Sequence, residues 1–155
     1  MAPVASTRED NIIEAVVDSG AEDSVTPPGV FSSPVMPSPM SRAGRNYRAA
    51  NGSPIPNLGQ TVAYFKDGDG RACGIPFQVA AVERPLISVS RMAQAGCRVS
   101  FQENEGEIVH TASGRRLPLV RRNGVYILQL RVGSAAGGAP GQPRLVSAPF
   151  PRQGR

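Results

Sequence analysis

Ile12-Ile13-Glu14-Ala15-Val16-Val17-Asp18-Ser19-Gly20-Ala21-Glu22-Asp23-Ser24-Val25 is the stretch on which the reading of this 155-residue chain turns. Its first half, Ile12-Ile13 and Ala15-Val16-Val17, is a short apolar run, largely β-branched, of the kind that forms a buried strand. That strand ends in an aspartate, and the next residues are small: a hydroxyl side chain at Ser19, none at Gly20, a methyl at Ala21. Asp-Ser-Gly alone also fits a turn after a strand, since all three residue types favour turns. The apolar strand before it and the Ala-Glu-Asp-Ser-Val after it set this occurrence apart.

A carboxylate presented at the end of a strand suits one reaction class. Peptide hydrolysis without a metal or covalent nucleophile needs one carboxylate to take a proton from water while a neighbouring carboxylic acid donates one to the scissile carbonyl. Two carboxyls a few ångströms apart cannot both ionise, so they share a proton and titrate as a pair, as in the aspartic proteases. On this reading Asp18 is the catalytic acid, Ser19 bridges to backbone around the paired acids, and Gly20 and Ala21 leave room for substrate main chain. Asp67-Gly68 and Asp69-Gly70 lack the apolar strand and the hydroxyl residue, so neither supplies the second acid. The length suffices for one core but not for two motif-bearing lobes. The second carboxyl is therefore expected from another copy in a two-fold homodimer.

The same motif resembles that of the retropepsin-like proteases of retroviruses and retrotransposons, most closely the copia-type polyproteins. Pro85-Leu86-Ile87-Ser88-Val89-Ser90-Arg91-Met92-Ala93-Gln94-Ala95-Gly96-Cys97-Arg98-Val99-Ser100-Phe101 is similar to the segment that follows the flap in copia-type proteins. There a Leu-Leu-Ser-Val-Ser step leads from strand to helix and on to a glycine and another strand. Gly114-Arg115-Arg116-Leu117 and Gly124-Val125-Tyr126-Ile127-Leu128-Gln129-Leu130 resemble the closing strands, so the likeness spans residues 12–131. It implies an aspartic endopeptidase unit of a retrotransposon polyprotein, acting on extended polypeptide as a homodimer. It implies further that Glu22 and Asp23 contact substrate main chain and inter-subunit groups. A hairpin at Ala50-Asn51-Gly52-Ser53-Pro54-Ile55 would then close over substrate as the flap, with Asn51 and Gly52 at its tip. Two departures stand out. Ser88 occupies the place where glycine usually follows the apolar pair, and few residues precede the Asp strand where the family has a fuller first hairpin, which fits either a fold without that edge strand or a polyprotein fragment.

Outward from the motif the pattern is mostly that of strands, and the expected fold is all-β: a small closed acid-protease-like barrel with one short helix. Thr26 to Arg45 holds five prolines and several serines and reads as a long surface loop. Asn51-Gly52, the strongest short turn signal in the chain, marks a hairpin between Tyr47–Ala50 and Ile55–Gln60. Lys66-Asp67-Gly68-Asp69-Gly70 marks another tight turn. Ala72 to Glu83 suits a long strand, with Pro76 at an edge or bulge. Ser88 to Ala95 is the helix, started by serine and stopped by Gly96. Residues 1–10 are expected to be a flexible N-terminus and 133–155, rich in Gly, Ala and Pro, a disordered tail, leaving 11–132 as the domain.

Several chemistries are excluded by what is missing. Cys73 and Cys97 have no Cys-x-x-Cys spacing and no histidine cluster beside them, so no zinc site is expected. The Asp67–Gly70 run fails as a calcium loop because Arg71 stands where an oxygen ligand is needed and Gln78 where the terminal glutamate belongs. No metal or cofactor is expected. His110, the single histidine, reads as a surface or cross-strand residue rather than a base. The N-terminus lacks the pattern of a secretory leader and no window reaches transmembrane length, which points to an intracellular protein with free thiols and no membrane partner. Net charge is +5, nearly all from arginine. Arg115-Arg116 and Arg121-Arg122 are not interleaved with aromatics as a stacking platform requires, so nucleic acid is not an expected partner. Two alternatives stay open: a barrel that binds peptide or partner without cleaving it, and an arginine-rich accessory module whose salt-sensitive binding would ignore Asp18→Asn.

Overall fold

The computed structural model describes residues 11–133; the expectations for 1–10 and 134–155 lie outside the described residues. Strand β1, Asn11–Asp18, lies between two neighbours that together decide where Asp18 sits. It alternates as its sequence demands: Ala15 and Val17 are buried while Ile12 and Glu14 face outward. On one side it runs antiparallel to β11, Val125–Val132, in register from Asn11↔Val132 to Val17↔Tyr126. On the other it runs parallel to β7, Leu86–Ser88, with Val16↔Leu86, Val17↔Ile87 and Asp18↔Ser88.

The intervening chain forms β2, Val25–Thr26, the antiparallel pair β3, Asn46–Arg48, and β4, Pro54–Pro56, and the long hairpin of β5, Gly59–Lys66, with β6, Ala72–Val79. After β7 a meander follows: β8, Cys97–Phe101; β9, Glu105–His110; β10, Arg115–Arg122; and β11. Nine of these strands form one sheet in the order β1-β7-β2-β6-β5-β11-β10-β9-β8, and β3 with β4 forms a second.

The fold is therefore all-β, as expected, but the sheet is not a closed barrel. The circuit of pairings that returns through β1 and β11 passes two links of a single residue pair each, Val25↔Leu86 and Lys66↔Arg131. The meander ends in β8, which pairs only with β9 and leaves an open edge. One helix is expected, and the described residues hold two. The helix α1, Pro39–Arg42, lies inside the proline-rich segment, capped by Ser38 and Ser41, which bond reciprocally to each other's backbone amides. Proline at its first position is compatible with a helix start, which explains how so proline-rich a stretch holds a helical turn. The expected helix is α2, Val89–Gln94, with Ser88 as N-cap and Gly96 beyond its end at φ 89°.

Pro76 pairs with Val62 in the β5–β6 hairpin, and β2 covers β6 only at Gln78 and Val79, so the edge facing away from β5 at Pro76 carries no strand. The strand stops at Val79, short of Glu83. The core consists of Ala15, Val17, Phe65, Ile75, Phe77, Ile87, Met92, Ile108, Leu117, Leu119, Leu128 and Leu130 with smaller residues between them. Phe31 of the proline-rich segment stacks on Phe77 with ring centroids 5.2 Å apart, which fastens that segment to the core. Among the described residues no helix is long and apolar enough to cross a membrane.

Candidate functional site

β1 stops at Asp18 because its two neighbours part there: β7 hands over to α2 at Ser88, and β11 reaches back only to the partner of Val17. The loop that follows folds onto its own start. The Asp18 carboxylate Oδ1 accepts the Gly20 amide at 2.8 Å, and the Ala21 amide points at the Asp18 carbonyl at 3.4 Å. Asp18 is partly exposed and, among the described residues, is in no ion pair.

Ser19 and Gly20 are exposed beside it. The fold gives no reason for glycine at 20: its φ is outside the left-handed region, and an added Cβ would make ordinary contact, 3.4 Å, with Asp18 Oδ1.

Ser88 anchors the loop from below. Fully buried, its Oγ donates to the Ala21 carbonyl at 2.8 Å and accepts the Arg91 amide at 3.1 Å, while its own amide donates to Ser24 Oγ at 3.0 Å. One hydroxyl thus caps α2 and fixes the far side of the Asp loop. This accounts for serine at the position where the resemblance leads one to expect glycine.

The residues expected to bind substrate divide into two groups. Glu22 is exposed and in no ion pair among the described residues. Asp23, by contrast, is buried, and its oxygens are taken within the fold. Oδ1 accepts Nε of Arg91 at 2.9 Å and also its Nη2, and Oδ2 accepts the Tyr47 hydroxyl at 3.1 Å. A buried carboxylate needs such partners, because unpaired it would carry the full desolvation penalty. Asn51 and Gly52 lie exposed at the tip of the β3–β4 hairpin, and their polar groups serve the turn itself: Asn51 Oδ1 accepts the Ser53 amide and hydroxyl, and Arg48 donates to the Gly52 carbonyl at 2.9 Å. The register Arg48↔Pro54 makes this a five-residue loop, Ala49–Ser53, and the return strand is Pro54–Pro56 rather than a run to Gln60.

Sequence reasoning missed the residues that join these parts. From Asp23 the chain of hydrogen bonds continues through Tyr47 to Asn57, whose Nδ2 donates to the phenol oxygen at 3.2 Å and to Gln78 Oε1 at 2.9 Å. Asn57 Oδ1 in turn accepts the Gly59 amide at 2.8 Å. Burial and the adjacent Asp23 charge push the Tyr47 phenol well up from its usual range, so it remains a donor. The partners of Asp23 lie 24 and 68 positions along the chain, a separation no local pattern reveals.

Other chemistry finds little support. Cys73 and Cys97 are free and buried, and burial pushes their thiols up to about 11 and about 12, so neither is a thiolate near neutral pH. His110 is a cross-strand residue, opposite Cys97 and Arg115, and buried, with Nδ1 2.8 Å from Ser113 Oγ; burial holds it below the usual histidine value. Among the described residues no group of three or more His, Cys, Asp or Glu is placed to hold a metal ion. Asp67, the acid of the Asp-Gly turn, accepts the Asp69 and Arg71 amides at 2.9 Å each, which makes it part of the turn. Compared with protein-family models, curated proteins and solved structures, the chain matches none.

Proposed function

We propose that this chain is half of an aspartic endopeptidase: two copies bring their Asp18 carboxyls together across a two-fold axis and hydrolyse peptide bonds in extended polypeptide. The observation that carries the reading is Asp18 itself, delivered by a half-buried strand to a partly exposed loop end, held by one amide and uncompensated by any cation among the described residues. Within the pair, one carboxylate removes a proton from water while the other, as the acid, donates to the scissile carbonyl. No metal or cofactor enters that reaction. The fold-level reason for Gly20 being absent, a substrate main chain passing over the loop supplies one. The likeness to copia-type retropepsins makes polyprotein processing the natural biological role, and it makes the Asn51–Gly52 hairpin the flap.

The test is incubation of purified protein with an unstructured polypeptide at mildly acidic pH, beside Asp18→Asn and a pepstatin-type transition-state mimic. Cleavage by the wild type, blocked by the mimic and reduced by about 10²-fold or more in Asp18→Asn, is the expected result. Cleavage that survives the substitution overturns the reading. A dimer by sedimentation without any cleavage points instead to a peptide-binding module.

A further inference from the structure

We infer that Tyr47 is a positioning residue: its hydroxyl latches the β3–β4 hairpin to the Asp18–Asp23 loop. Tyr47 stands in β3 directly across from Ile55 in β4, so whatever holds Tyr47 holds both strands of the hairpin. Its oxygen bonds in opposite senses, donating to Asp23 Oδ2 at 3.1 Å and accepting from Asn57 Nδ2 at 3.2 Å, with Met40 Sδ a longer contact at 3.9 Å. Asp23 belongs to the loop that begins at Asp18. Asn57 closes the other side, where the chain leaves the hairpin: its amide donates to the Arg45 carbonyl at 3.2 Å, just before β3. The hairpin base is thus gripped where the chain enters, where it leaves, and at the reacting loop between. Beyond the latch, Arg48 reaches from β3 to the tip, through the Gly52 carbonyl.

The catalytic consequence rests on the protease reading, whereas the latch does not. With the hydroxyl removed, the hairpin no longer reports to the Asp loop, and closing it over substrate must then be driven by substrate binding. Tyr47→Phe keeps the ring and the packing and removes only the hydroxyl with its hydrogen bonds. Expected are a KM raised about tenfold with kcat nearly unchanged, the size of one lost hydrogen bond to a charged partner. Hydrogen exchange supplies a readout independent of activity: amides of residues 46–59 should exchange about tenfold faster in Tyr47→Phe, and those of β9 and β10 at the wild-type rate. Unchanged exchange at 46–59, or acceleration spread evenly over the sheet, overturns the latch. Faster local exchange with KM unmoved overturns its role in binding substrate. If the wild type cleaves nothing, the protease reading fails by itself, and the exchange pattern still decides the latch.

Discussion

Asp18 and Ser88 are Cα partners across the parallel pair of β1 and β7, so the proposed catalytic acid and the cap of α2 occupy one rung of the sheet. The Ser88 hydroxyl is the only side-chain group of β7 that reaches the Asp loop, at the Ala21 carbonyl. Ser88→Ala removes an N-cap and leaves a partly buried carbonyl without its donor, which should destabilise the fold by about 1–2 kcal/mol. Urea unfolding measures it. Cleavage should fall more than the loss of folded protein explains, because the acid's loop loses its anchor.

Gly20→Ala separates what the fold requires from what the reaction requires. The new Cβ meets nothing closer than 3.4 Å and the backbone is unstrained, so stability should stay within about 0.5 kcal/mol. Peptide cleavage should nevertheless drop sharply if substrate passes over this position. Thermal melts and turnover measured on one preparation test both halves.

Gly59→Ala and Gly124→Ala should behave in the opposite way. At Gly59, φ is 134° and an added Cβ would stand 2.5 Å from the Met36 carbonyl oxygen, which is backbone and cannot move aside cheaply. At Gly124 the surroundings are open and only the positive φ of 83° opposes alanine, at about 1–2 kcal/mol. Gly59→Ala should therefore be clearly the more damaging of the two in denaturant titration.

Arg91→Ala leaves Asp23 buried with half its partners gone. The guanidinium is 43% exposed while the carboxylate side is 5% exposed, so the penalty falls on the acid. A loss of about 1.5–3 kcal/mol is expected, smaller than for a pair buried on both sides.

Alkaline pH should unfold the protein through its thiols. In the fold Cys73 and Cys97 ionise only near about 11 and about 12, against 9 for the free thiol. The stability each lends is complete below pH 9 and is lost as pH rises toward the folded value, because the unfolded chain ionises first. Each thiol adds a slope of about 1.4 kcal/mol per pH unit across that window. Cys97→Ala, compared with wild type in urea at pH 8 and pH 10, should show the smaller fall.

Much of this molecule can be read along the chain because the determinants are local. The alternation in β1 and β11, the serine before α2, Gly96 after it and the Asp67 turn each depend on residues a few positions apart. The turn rule was right in kind but misplaced. Asn51-Gly52 closes a five-residue loop, whereas Asn123-Gly124 forms the two-residue turn, with φ of 54° and 83° between Arg122 and its partner Val125. The proline-rich segment looked structureless because its order comes from elsewhere, from Phe77 under Phe31 and from the Met36–Gln60 bridge. At the site, Asp18 and its neighbours stand out as a motif, whereas the partners of Asp23 within the fold, Tyr47 and Arg91, arrive from a separate hairpin and a separate helix and leave no local trace.

The two solitary rungs, Val25 with Leu86 and Lys66 with Arg131, divide the large sheet into unequal blocks: β2, β5 and β6 on one side, the remaining strands on the other. Such a boundary is the natural crease along which a twisted sheet shears. The Asp18–Val25 segment straddles it, rooted in β1 at one end and β2 at the other. The loop rooted at the proposed catalytic acid is therefore one of two backbone links between the blocks, beside the run from Val79 to Leu86, and a lean of one block on the other would be felt at that carboxyl.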